Sequence, residues 1–110
     1  MKMTMEELNA ICMEMISNAG EGRSKVYEAL DKINEESYEE AENKLNEAQD
    51  LLAEAHKIQF EQIMSPQSNG VEIPFSMLLL HAMDMTMVST SEHDLLHSIV
   101  AAKLKKSKNV

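Results

Sequence analysis

Two side chains in this 110-residue sequence have the types and the spacing that chemistry requires, His81 and Asp84. They stand three residues apart in Leu78-Leu79-Leu80-His81-Ala82-Met83-Asp84-Met85, so on a helix both project to roughly the same side. A neutral imidazole nitrogen is a nucleophile at ordinary pH, because unperturbed histidine titrates near about 6.5. A carboxylate set among leucines and methionines has to be paired, protonated or bound to a cation. If this helix lines a cyclic oligomer, copies of Asp84 meet around the axis and call for a metal ion or protons. From pattern alone, a lone histidine on such a helix is more often a satisfied core or interface residue than a reactive group, and both readings stay open on residue type.

The remaining reactive side chains have blander readings. His93-Asp94-Leu95-Leu96-His97 has the i, i+4 histidine spacing of a zinc metalloprotease helix. Asp stands where a longer Glu is needed, a third ligand is not evident, and the chain is too short for a substrate cleft. Two surface histidines near a helix end is the better expectation. Cys12, the single cysteine, lies in Ala10-Ile11-Cys12-Met13 and reads as core or interface packing. A lone cysteine also excludes an intramolecular disulfide and fits a reducing compartment. His56, in Ala55-His56-Lys57, has no partner visible in sequence and reads as structural or partner-facing.

The elements that must position these residues are helical. Thr4-Met5-Glu6-Glu7 is a capping box, and Leu8, Cys12, Met15, Ile16 and Ala19 follow at helical steps, predicting a first helix over about Met5 to Ile33. Gly20 and Gly22 interrupt it, marking a kink or a close helix contact. Ser37-Tyr38-Glu39-Glu40 reads as a second capping box, followed by a face of Ala41, Leu45, Ala48, Leu52, Ala55 and Gln59. Turn chemistry at Ser65-Pro66-Gln67-Ser68-Asn69-Gly70 ends this helix. A third begins just after Pro74, with Ser76 as its cap, and continues towards Leu104. Short connections make the neighbours antiparallel, so the fold expected is an all-α, up-down-up three-helix bundle forming one domain over residues 1–110.

The third helix is apolar around most of its circumference, through Met77, Leu78, Leu79, Leu80, Ala82, Met83, Met85, Met87 and Val88. A helix in a three-helix monomer needs only one apolar stripe. Self-association through this helix would bury the surplus, and the ten methionines suit such irregular packing. A homo-oligomer is therefore expected.

Composition narrows the function classes. A net charge of −9 and 4% aromatic residues argue against nucleic acid and membrane surfaces as partners. Lys103, Lys105, Lys106 and Lys108 read as a solvated end that complements the helix dipole. No apolar run approaches the roughly 20 residues needed to span a bilayer, so a cytoplasmic protein is expected.

The stretch Ile73-Pro74-Phe75-Ser76-Met77-Leu78-Leu79-Leu80-His81-Ala82-Met83-Asp84 resembles the active-site helix of the enzyme IIA proteins of the lactose/cellobiose phosphotransferase system. Ile16-Ser17-Asn18-Ala19-Gly20-Glu21 with Arg23-Ser24, Ala55-His56-Lys57-Ile58-Gln59, and the glutamate- and alanine-rich run from Tyr38 to Leu52 extend the resemblance over nearly the whole chain. The resemblance implies a three-helix bundle assembled as a homotrimer. It implies that His81 accepts a phosphoryl group from the small phosphocarrier HPr and passes it to a cysteine of the cognate enzyme IIB. It further implies that Asp84 meets its symmetry mates on the trimer axis and holds one divalent cation, for which a hard ion such as Mg²⁺ suits the carboxylates. Met83, Met85 and Phe60 stand where the family commonly has Gln, His and Thr. Gln59 is a candidate donor to the site, or simply a polar residue at a helix contact. Two other classes compete: a histidine phosphotransfer module of two-component signalling, and a helical oligomeric adaptor with His81 inert.

Overall fold

Thr4 opens the first helix as a capping box must. Its Oγ1 accepts from the Glu7 N–H at 3.0 Å, and Glu7 Oε1 accepts from the Thr4 N–H at 3.4 Å. In the computed structural model, which describes residues 1–108, α1 then runs over Met5–Asn34 without a break at either glycine. The chain reverses through Glu36, whose φ of 60° puts it in the left-handed region. Helix α2 follows over Tyr38–Gln59.

The second capping box does not form. Ser37 has φ −93° and ψ 69°, away from the extended geometry of a cap, and its side chain bonds to no backbone N–H of the first turn. The tight reversal holds it instead, with its own N–H donating to the Lys32 carbonyl at 2.8 Å.

The end of α2 is also more helical than its turn-forming residues predict. A π-helical segment, Phe60–Met64, continues from Gln59, and one further turn, α3, covers Ser65–Ser68. Pro66 lies in the first positions of that turn, where its missing N–H is tolerated. The true turn comes at Asn69-Gly70, with Gly70 at φ 96°. The chain then passes beside its own N-terminus: Met3 N–H donates to the Glu72 carbonyl at 2.9 Å and Glu72 N–H to that of Met1 at 3.0 Å. Ser76 caps the last long helix, its Oγ accepting from Leu79 N–H at 3.0 Å, and α4 spans Met77–Lys108.

The three long helices pack up-down-up around two apolar clusters. Leu8, Cys12, Met15, Ile58, Ile63 and Ala82 fill the end where α4 begins. Ala29, Ala41, Leu45 and Val100 fill the other. Between them α1 and α2 come close because Gly22 faces Leu52: a Cβ there would lie 2.9 Å from Leu52 Cγ and 3.4 Å from the Ala48 carbonyl oxygen. On the surface, Arg23 Nε donates to Glu92 Oε1 at 3.0 Å and its Nη2 to Tyr27 Oη at 3.0 Å, tying α1 to α4.

The two glycines should therefore separate in a stability assay. Gly20→Ala meets only Met85 Cε at 3.6 Å and should stabilise by up to about 1 kcal/mol through helix propensity. Gly22→Ala should destabilise, because forcing Leu52 aside costs roughly 1–3 kcal/mol and outweighs that gain. Urea unfolding of the two variants checks the difference in sign.

Candidate functional site

Helix α4 presents opposite faces of unexpected character. The face packed on α1 and α2 carries Ala82, Thr86, Ser89, His93 and Val100, all buried, and most of them small or polar. Solvent meets Met77, Leu80, Met87, Val88, Leu95 and Ile99, whose spacings of three, four and seven residues set them on one side of the helix. The largest exposures are 70% for Met77, 67% for Leu95 and 63% for Met87. The usual arrangement of a surface helix, apolar inside and polar outside, is inverted.

His81 and Asp84 both lie on the exposed side of this helix, among that apolar stripe. The fold supports their positions locally. Ser76 fixes the start of the helix, and Leu78, Leu79 and Ala82 anchor its first turns in the cluster with Leu8, Ile58 and Ile63. Among the described residues neither side chain takes part in an ion pair or a side-chain hydrogen bond within the chain. Gln59 does not reach His81 within one chain; its amide donates to Met64 Sδ at 3.9 Å.

The other histidines are engaged elsewhere. His56 Nε2 lies 2.9 Å from Thr90 Oγ1, and that hydroxyl donates its own proton to the Thr86 carbonyl at 2.7 Å. Thr90 must then accept, so His56 carries its proton on Nε2. His93 is no surface histidine, contrary to the sequence expectation. It is buried against α2, with Nε2 3.1 Å from the Leu45 carbonyl oxygen and Nδ1 2.9 Å from Asp94 Oδ1. Its place in the series Thr86, Ser89, His93, Val100 is the helical-period signal that marks the inward face. His97 stacks on it with ring centroids 5.7 Å apart. A cavity of about 200 Å³ between α2 and α4 is lined by His56, Thr90, His93 and Asp94, away from His81.

No three histidine, cysteine or acidic side chains of one chain converge on a metal position among the described residues. Asp84 supplies a single hard oxygen ligand, so a cation held there needs further carboxylates from other copies.

Cys12 is buried in the apolar cluster, and burial pushes its thiol above the ordinary range. It matches the packing role expected from sequence and is no nucleophile.

The bundle thus carries His81, its side chain without a hydrogen bond or ion pair among the described residues, on an exposed and largely apolar helix face. Comparison with known proteins identifies its relatives. The family described as the lactose/cellobiose-specific IIA subunit of the phosphotransferase system matches residues 10–103. The lactose-specific EIIA component of Staphylococcus epidermidis is 29% identical over 98 residues, covering 89% of this chain and 93% of its own. The lichenan-specific enzyme IIA component of Bacillus subtilis is 32% identical over 95 residues, 86% of each chain. Among solved structures, PtcA from S. mutans superposes with a TM-score of 0.88 at 34% identity, covering 92% of this chain and 98% of its own. The cellobiose-specific enzyme IIA from Bacillus anthracis gives 0.81 at 27% identity, covering 98% and 96%. The chain belongs to the lactose/cellobiose-specific IIA family of the sugar phosphotransferase system.

The burial of Cys12 has a testable sign. The unfolded thiol loses its proton at a lower pH than the folded one, so stability is retained below the ordinary thiol range and declines as pH rises through it. Iodoacetamide should label Cys12 only after unfolding, whereas rapid labelling of the native protein at pH 8 would contradict its burial.

Proposed function

We propose that this chain is a phosphoryl carrier of a sugar phosphotransferase system, with His81 as the residue that carries the group. Phospho-HPr is the donor, and a cysteine of the cognate enzyme IIB is the acceptor, in the cytoplasm during uptake of a β-linked disaccharide. The single observation that supports this best is the position of His81. It lies exposed on a helix face with no side-chain hydrogen bond or ion pair among the described residues, in a chain of the IIA family. The neutral ring attacks phosphorus with the lone pair of one nitrogen, the bond from phosphorus to the donor's histidine nitrogen breaks, and that nitrogen recovers its lone pair. Such in-line transfer needs positioning and charge stabilisation, with no pocket for the sugar itself.

The inverted α4 supports a homotrimer, with residues 1–110 as the single domain of each subunit. Three copies of α4 would cover one another's stripes of Met77, Leu80, Met87, Val88, Leu95 and Ile99. Asp84 falls within that stripe, where a lone carboxylate would be costly to bury. Three symmetry-related carboxylates fit one divalent cation, Mg²⁺ by the hardness of the donors, which would offset most of their charge and fasten the axis.

Incubation with phosphoenolpyruvate, enzyme I and HPr should add about 80 Da to the wild type as an acid-labile adduct and nothing to His81→Ala. An adduct on both would move the site; none on a folded wild type beside active coupling proteins would reject the carrier reading in favour of an adaptor. Metal analysis should find one divalent cation per three chains, lost in Asp84→Asn.

A further inference from the structure

The chain contains only two phenylalanines, and both are on the surface, Phe60 with 60% and Phe75 with 78% of its area exposed. Phenylalanine is ordinarily a core residue, and both rings here forgo the burial that usually stabilises them. Both lie outside the α4 stripe of Met77, Leu80, Met87, Val88, Leu95 and Ile99.

Both belong to the end of the bundle that carries His81. Phe60 opens the π-helical segment, in which Ile63 turns inward to the cluster containing Ala82, Leu78 and Leu79. That local change of helical period puts Ile63 in the core and leaves Phe60 and Met64 outside. Phe75 stands in the connection just before α4, held on one side by the pairing of Glu72 with Met1 and Met3, and on the other by the Ser76 cap. The two rings are therefore displayed from backbone that is hydrogen-bonded in place, as anchors of an interface usually are. Acidic residues flank them: Glu61 follows Phe60, and Glu72 lies on the same connection as Phe75, all exposed.

We infer that Phe60 and Phe75 anchor a docking surface for phospho-HPr, the donor to His81. The charge of the surroundings selects a partner with an apolar centre and a basic rim. The inference rests on the carrier reading of His81, and adds to it where the partner binds. Neither Phe60 nor Phe75 takes part in the chemistry.

Two phosphoryl donors separate docking from chemistry. Phospho-HPr must dock, whereas phosphoramidate, a small donor, needs only an accessible ring: its P–N bond breaks, ammonia leaves, and the imidazole nitrogen takes the phosphoryl group. For the Phe60→Ala/Phe75→Ala double variant, KM for phospho-HPr should rise about tenfold or more, with the phosphoramidate rate and the oligomeric mass unchanged. Phe60→Leu/Phe75→Leu should recover most of the loss. Equal losses with both donors, an unchanged KM for phospho-HPr, or an altered oligomeric mass would each overturn the inference. A wild type that accepts from neither donor would overturn the carrier reading, and this inference with it.

Discussion

Everything distinctive about this molecule follows from the inverted packing of α4. The helix gives its small and polar residues, Ala82, Thr86, Ser89 and His93, to the interior of its own subunit. It keeps Met77, Leu80, Met87, Val88, Leu95 and Ile99 for the outside. Within its own chain α4 is held towards its ends, where Leu78, Leu79, Ala82 and Met83 join one apolar cluster and Leu96, Val100 and Leu104 the other. Covering each exposed side chain is worth on the order of 1 kcal/mol, half of the gain for full burial. Six of them in one stripe amount to roughly 6 kcal/mol per chain, comparable with the entire stability of a small domain. A constraint of that size dictates what the helix is for.

The same inversion explains why the interior can be built from so little. Alanines at 19, 29, 41, 48 and 55 and the glycine at 22 let α1 and α2 approach closely, leaving α4 to lie across them with short side chains. Polar groups on the inner face are then satisfied locally: Thr86 donates to the Ala82 carbonyl at 2.9 Å and His93 reaches the Leu45 carbonyl. Ser89 Oγ is buried without a partner, the one cost visible among the described residues. His81 and Asp84 benefit directly, because a helix with a fixed start carries them on its outward side.

Much of this was legible in the sequence, and the reasons are physical. The helices declare themselves through apolar steps of three and four, and Thr4 with Glu7 and Ser76 before Met77 are caps whose chemistry is local. The surplus apolar face of α4 was visible as composition around the helix. Its inversion was not, because periodicity shows which residues share a face but not which face turns inward. That is also why His93 read as a surface residue: its burial depends on the Leu45 carbonyl, 48 positions away. Ser37 misled for a different reason, since the reversal at Glu36 takes precedence over the side-chain cap. The π-helical segment has no sequence signature beyond Pro66 nearby, and so Phe60 gave no sign of its exposure.

The account stands or falls on whether the α4 stripe is covered by other copies of the chain. Light scattering on the purified wild type, beside Val88→Glu and Leu95→Glu, measures this directly. The account predicts three times the 12.4 kDa chain mass for the wild type and dissociated, still helical chains for the variants. A wild type that runs as a folded monomer while retaining its phosphoryl-carrier activity would contradict it.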